Sequence, residues 1–171
     1  MTDIMIDLET MDTKPSAVVL SIGMVEFDPA EGTVDKDNGQ LLFPSIQEQL
    51  DAGRTISAAT LQWWMGQTDG AKADWVVRKK KSVTDTRNAV RSWMSTMRRP
   101  TVWGNGSVFD ITMMEDFMDH TQIPWKFWDV MDTRTHHRHF PFDKSKKGVT
   151  AHTALDDAIA QAERVCETWP K

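Results

Sequence analysis

Two carboxylates stand two residues apart in the stretch Ile4-Met5-Ile6-Asp7-Leu8-Glu9. Its run of apolar residues reads as a short, buried β-strand with the acids at its far end. Side chains alternate faces along a strand, so Ile4, Ile6 and Leu8 point one way and Met5, Asp7 and Glu9 the other. The two carboxyl groups then share a face, their backbones roughly 6–7 Å apart. Like charges on a buried strand are costly unless something neutralises them, and a divalent cation would do so. The structural alternative is that the strand runs into a loop there and both acids reach water. A metal site needs further ligands from elsewhere in the chain.

Two later stretches supply candidates. Asp110 follows Trp103-Gly104-Asn105-Gly106-Ser107-Val108-Phe109. A strand, a glycine-containing turn and an acid in the first turn of a helix together aim a carboxylate at a sheet edge, and glycine lets backbone come close to a neighbour or ligand. Alternatively, Asp110 only complements the positive end of its helix. The second stretch is His152-Thr153-Ala154-Leu155-Asp156-Asp157. A His ahead of acids in a first helical turn suits a general base beside a metal ligand, though a helix-entry His needs no chemistry. Thr153 and Asp156 have the spacing of a capping pair, which gives Asp156 a structural task and leaves Asp157 as the ligand candidate.

The elements that must position these groups follow from periodicity. Residues 17 to 27 and 40 to 43 read as two more strands around the turn Asp28-Pro29-Ala30-Glu31-Gly32, an antiparallel meander with the first. Helices are expected over 57 to 67 with Leu61, Trp64 and Met65 inward, and over 69 to 80 with Ala73, Val76 and Val77 inward. Over 82 to 97 the stripe is Val83, Val90, Met94 and Met97, with Trp93 beside it and Ser82 and Asp85 in capping-box spacing. Thr101-Val102-Trp103 and 127 to 131 read as short strands. Residues 107 to 119, 132 to 140 and 151 to 169 read as helices, the last with Leu155, Ile159, Ala162, Cys166 and Trp169 inward. Strands first, then helices alternating with short strands, point to an α/β fold with a mixed sheet and helices on its faces.

Composition narrows the partners. The 171 residues suit one domain, spanning 1 to 171. A net charge of −5 argues against a broad basic surface that coats duplex nucleic acid, while leaving room for a small site. Cys166 is the only cysteine, so neither an internal disulfide nor a thiolate metal site is expected. No signal-peptide pattern or membrane-length apolar run is present, so no membrane association and a reducing, cytoplasmic location are expected. Trp63, Trp64 and Trp75, if exposed, would form a partner surface such as that of a homodimer, although helical tryptophans are more often core.

Taken together, Asp7-x-Glu9, Asp110 after Gly104-x-Gly106-x-x-Phe109, and His152-x4-Asp157 resemble the DEDDh branch of the DnaQ-like 3′→5′ exonucleases. Thr60-Leu61-x-Trp63-Trp64 and Asp132-x-Arg134-Thr135 are similar to the compact, RNase T-like exonucleases of bacteria and phages. One departure is Gly106, where proofreading relatives carry Asn; Asn105 sits one residue earlier. The resemblance implies an RNase H-like fold and hydrolysis of the 3′-terminal phosphodiester with two Mg²⁺ ions, Mn²⁺ substituting. It implies that Asp7 serves both ions, Glu9 and Asp157 the site of the attacking water, Asp110 the second site, and His152 the proton. Hard oxygen ligands suit those metals.

The expected partner is the 3′ end of a single strand, RNA or DNA, since the cleaved linkage must thread into a narrow site. Leu8, Met11 and Phe109, beside the acids, could wedge terminal bases or simply pack in the core. His136, His137, Arg138, His139, Lys144, Lys146 and Lys147 could touch the phosphate backbone or form a solvated basic segment, and the spacing of His136 and His139 does not support zinc. A binding module without catalysis and a small-molecule phosphodiesterase are the competing functions. Loss of cleavage in Asp7→Ala separates the first from an exonuclease, and chain-length dependence the second.

Overall fold

The computed structural model describes residues 2–143 and 153–170. The strands are β1 (Asp3–Thr10), β2 (Val19–Asp28), β3 (Thr33–Leu42), β4 (Thr101–Gly104) and β5 (Val130–Asp132). They form one sheet in the order β3-β2-β1-β4-β5. β1 pairs antiparallel with β2, and β2 with β3, which is the expected meander; β4 and β5 run parallel to β1. Among the described residues the helices are α1 (Ile46–Asp51), α2 (Ala58–Met65), α3 (Asp69–Val77), α4 (Val83–Met94), α5 (Ser107–Phe117), α6 (Thr133–His139) and α7 (Ala154–Thr168). No helix among them is long and apolar enough to cross a membrane.

The alternation of β1 divides the core into two layers. Ile4, Ile6 and Leu8 pack with Val90 and Met94 of α4 and with Ile111, Met113, Met114 and Phe117 of α5. Met5 faces the other way, into Val25, Phe27, Trp103 and the Ala158, Ala162 and Val165 side chains of α7. β1 is thus covered on both faces at the centre of the sheet, which is why it reads as a nearly continuous apolar run. Asp7 and Glu9 continue the Met5 face and so lie under α7. A third cluster, Met11, Val18, Leu20, Trp64 and Ala71, holds α2 and α3 against the end of β1.

Several elements differ from expectation. β3 has ten residues rather than the four of 40 to 43; its first six include one apolar residue, the half-buried Val34, so apolar patterning marks only its buried end. Helix α1 sits where no helix is expected. Leu61 and Met65 of α2, and Ala73, Val76 and Val77 of α3, are exposed, while Trp64 and Ala71 are buried. These two short helices touch the body along one narrow edge, so most of their apolar residues have nothing to pack against. Of the three tryptophans weighed as a partner surface, Trp63 is 47% exposed, Trp64 is buried as its inward position predicts, and Trp75 is half-buried. α4 matches its pattern, and Ser82 caps it by accepting the Asp85 amide.

On α7 the face toward the sheet is Ala154, Ala158, Gln161, Ala162 and Val165; Leu155, Ile159, Cys166 and Trp169 flank it. The small residues win the inner face because they let the helix come close. The reason for that closeness is Gly23 on β2. A Cβ there would fall 2.1 Å from the backbone C and O of Ala154, so helix backbone rests directly on strand backbone.

Candidate active site

Three elements carry the acids: β1, α5 and α7. Asp7 and Glu9 project from the C-terminal half of β1, opposite Gly23 and Ser21 of β2. Asp157 comes from the first turn of α7, whose start rests on Gly23, the cross-strand neighbour of Asp7. Carboxylate oxygens of Asp7, Glu9 and Asp157 lie within 4.8 Å of one another. Thr153 caps α7 by accepting the Asp156 amide at 3.3 Å and donating to Asp156 Oδ2 at 2.5 Å. Asp156 is therefore occupied structurally and Asp157 is the one that turns inward.

Asp110 approaches from the β4 side. Gly106, with φ of 103°, starts α5 in a left-handed conformation that favours glycine. The Asp110 side chain then lies over Gly104, where a Cβ would sit 3.1 Å from Asp110 Cβ and 3.4 Å from its Oδ2. Gly104 pairs with Ile6, one residue before Asp7. Asp110 is 3% exposed. Backbone amides of Leu8 and Asn105 support its charged form, as does the positive charge of Arg134.

The electrostatics are those of crowded, buried like charges. Burial, then the charges of Asp110 and Glu9, raise the Asp7 carboxyl well above the usual carboxylate range. Burial and the charges of Asp157 and Asp110 push Glu9 up to about 8. Burial pushes Asp110 up to about 7, against the amides and Arg134 that oppose it. Such a set is strained at neutral pH unless cations join it. All four donors are hard oxygens, and the buried Gln161 Oε1 beside them has no hydrogen-bond partner among the described residues. The donor set therefore fits divalent cations of the magnesium type.

The 3′–5′ exoribonuclease Rv2179c-like domain matches residues 2–169 of this sequence. The chain belongs to that family. Its members form a class of 3′–5′ exonucleases, hydrolases acting on nucleic acid. An exodeoxyribonuclease of Enterobacteria phage T4 is 23% identical over 160 residues, covering 79% of this chain and 70% of the phage protein. Among solved structures, cell-death related nuclease 4 superposes with a TM-score of 0.62 at 13% identity, covering 97% of this chain. This chain spans 62% of that protein's length. A 3′-exonuclease described for its 3′-end-specific recognition of histone mRNA stem-loop superposes with a TM-score of 0.59 at 13% identity, over 96% of this chain and 79% of its own. These neighbours share the DnaQ-like, RNase H-like fold.

The structure brings Asp7, Glu9, Asp110 and Asp157 to one place. His152 lies outside the described residues, as do Lys144, Lys146 and Lys147. Leu8 and Met11 are 5% and 6% exposed and sit in the first and third apolar clusters, while Phe109 is half-buried against the first. Their packing is the geometry on view, and only Phe109 keeps appreciable surface.

Two residues beside the acids, Gln161 and Gly23, escape a reading of motifs. Gln161 donates from Nε2 to Asp7 Oδ1 at 2.7 Å and so fixes the central carboxylate. It lies four residues after Asp157, one helical turn, and that spacing was the only available signal. Gly23 carries no signal at all in an apolar strand. Arg134 is positioned by Asp132, which accepts the Ser107 amide at 2.5 Å and the Thr135 amide at 2.7 Å and so ties the start of α6 to the start of α5. Burial opposes charge on Asp132, but those amides outweigh it and hold the carboxyl below its usual range. Asn105 has a bracing role, accepting from Thr133 Oγ1 at 2.9 Å.

Proposed function

We propose that this protein removes nucleotides one at a time from the 3′ end of single-stranded RNA or DNA, releasing nucleoside 5′-monophosphates. The observation that supports this most is the meeting of Asp7, Glu9 and Asp157 within 4.8 Å, with Asp110 pressing on the same charges. Asp7, Glu9 and Asp157 would hold one Mg²⁺ or Mn²⁺ ion, and Asp7 with Asp110 a second. When bound, such ions stabilise the charge that develops on the incoming and departing oxygens.

The chain's own residues do the rest. Gln161 keeps the Asp7 carboxylate from rotating away from its neighbours. Gly104 and Gly106 let Asp110 and the start of α5 sit close enough for a narrow site. His152, five residues before Asp157, accepts a proton from the attacking water. The water oxygen forms the new bond to phosphorus, the bond from phosphorus to the 3′ oxygen of the next nucleotide breaks, and solvent protonates that oxygen. The products are a 5′-monophosphate and a strand one nucleotide shorter.

Digestion of matched 5′-end-labelled RNA and DNA single strands tests this. With Mg²⁺ or Mn²⁺ the labelled strand shortens stepwise, and chelator stops it. Asp7→Ala slows it by about a thousandfold or more, as expected when a group that anchors the reacting centre is lost. Equal cleavage by Asp7→Ala, or internal cuts in place of a ladder, would contradict the proposal.

A further inference from the structure

Beside the acids the structure holds a cavity of opposite character. Helix α6 presents Arg134, His137 and Arg138 at positions i, i+3 and i+4, hence on one face. With Asn105, Pro141 and Phe142 they line a cavity of about 280 Å³. Arg134 joins this cavity to the carboxylates. A Cβ on Gly106 would lie 3.2 Å from its Cζ and Nη1, and its charge acts on Asp110.

Arg54 and Arg99 pair with Asp116 and Asp129 at 2.7 and 3.2 Å. Among the described residues, no carboxylate lies within 4 Å of the Arg134 or Arg138 guanidinium, and both side chains are exposed. His136 and His137 serve other ends. His136 is buried, stacked on Trp169 and hydrogen-bonded to Thr168, and His137 Nδ1 faces the Phe140 carbonyl at 3.3 Å. Two exposed guanidinium groups facing one cavity, in a chain of net charge −5, can take a ligand of negative charge. The planar fork of arginine matches the two free oxygens of a phosphodiester. The apolar wall of Pro141 and Phe142 lowers the local dielectric and strengthens that contact.

We propose that this cavity is a second phosphate subsite, which takes the phosphodiester on the 5′ side of the linkage being cleaved. The proposal rests on the exonuclease reading. A 3′-terminal nucleotide carries one phosphate, and that phosphate belongs to the cleaved linkage. Any second phosphate contact therefore reads the strand upstream, and the cavity makes the enzyme prefer a chain over a dinucleotide.

The test compares a dinucleoside monophosphate, with its single linkage, against a pentanucleotide lacking terminal phosphates. The full-length protein is used with Mn²⁺, and the readout is the ratio of kcat/KM on the two. Wild type favours the pentanucleotide. Arg138→Ala lowers the ratio about tenfold, the usual loss for one charge-assisted contact. It also flattens the dependence of log kcat/KM on log salt by about 0.7, the value for one phosphate contact on a single strand. Arg138→Lys restores part of both. Arg138 is exposed on a helix face, so its substitution leaves the fold intact. Arg134→Ala gives the same direction of change by an independent route. An unchanged ratio and slope in both alanine variants overturns the subsite, as does an equal loss on both substrates. Wild-type protein that cleaves neither substrate instead removes the exonuclease reading, and this subsite with it.

Discussion

A carboxylate held beside three others keeps its proton until something positive replaces it. The unfolded chain ionises its acids near pH 4, whereas folded Asp110 and Glu9 hold theirs to about 7 and about 8. Between those limits the folded state binds more protons than the unfolded one. The stability of metal-free protein must therefore fall as pH rises from about 4 to 8. The expected measurement is a melting temperature in chelator that drops steadily from pH 5 to 8, with a shallower drop in saturating Mn²⁺. A rise across that window in chelator would contradict the burial of the cluster. Gln161 gives a second expectation. Gln161→Leu keeps the volume but removes the donor to Asp7 Oδ1. The metal concentration for half-maximal activity should rise about 10–100-fold, as outer partners of metal ligands typically show. At this scale the acids were legible because their type and spacing are unusual in an apolar strand and a helix start. Gln161 was not, because an amide in a helix advertises no partner.

Close approach of elements, rather than apolar area, sets where the acids meet. Helix α7 is held at backbone contact with β2 by Gly23, and that contact carries Asp157 to Asp7. Gly23→Ala would require the start of α7 to move by more than an ångström. The expected result is at least a tenfold loss in kcat/KM alongside a lower melting temperature. Gly39→Ala is the milder comparison, because its Cβ would meet the end of the flexible Leu155 side chain at 2.9 Å and the Lys36 carbonyl oxygen no closer than 3.3 Å. Similar activity of the two variants would show that α7 adjusts freely. At the other end of the site, Trp64 of α2 donates to the Thr10 carbonyl at 2.9 Å and anchors the strand end just past Glu9. Trp64→Phe leaves that buried carbonyl without its donor and should cost about 1–3 kcal/mol in chemical denaturation. The sequence marks large apolar stripes well, as on α4. It misleads where small residues or a single tryptophan make the contact, as on α7, α2 and α3.

Across the whole molecule, a mixed five-stranded sheet places β1 between an antiparallel and a parallel partner. That placement leaves the end of β1 open to helices from both faces: α5 below and α7 above. The meander, the mixed sheet and the flanking helices follow from the order of elements in the chain. The strand order and the depth at which α7 rests do not, because they depend on contacts between residues far apart in sequence. The site is thus assembled by the fold and is unstable by itself, and cations that bind only the folded state must stabilise the whole domain.

The most direct test sets melting curves of wild type and Asp7→Asn side by side, each in chelator and in saturating Mn²⁺ near pH 8. In chelator the variant should melt higher, because the amide removes a buried carboxyl that must otherwise be ionised among like charges or held protonated above its usual range. In Mn²⁺ the wild type should gain about 5–10 °C, the shift expected at a hundredfold excess over Kd for a domain of this size, while the variant gains little. Equal responses of the two proteins to Mn²⁺, or none in either, would contradict a cation site built on Asp7.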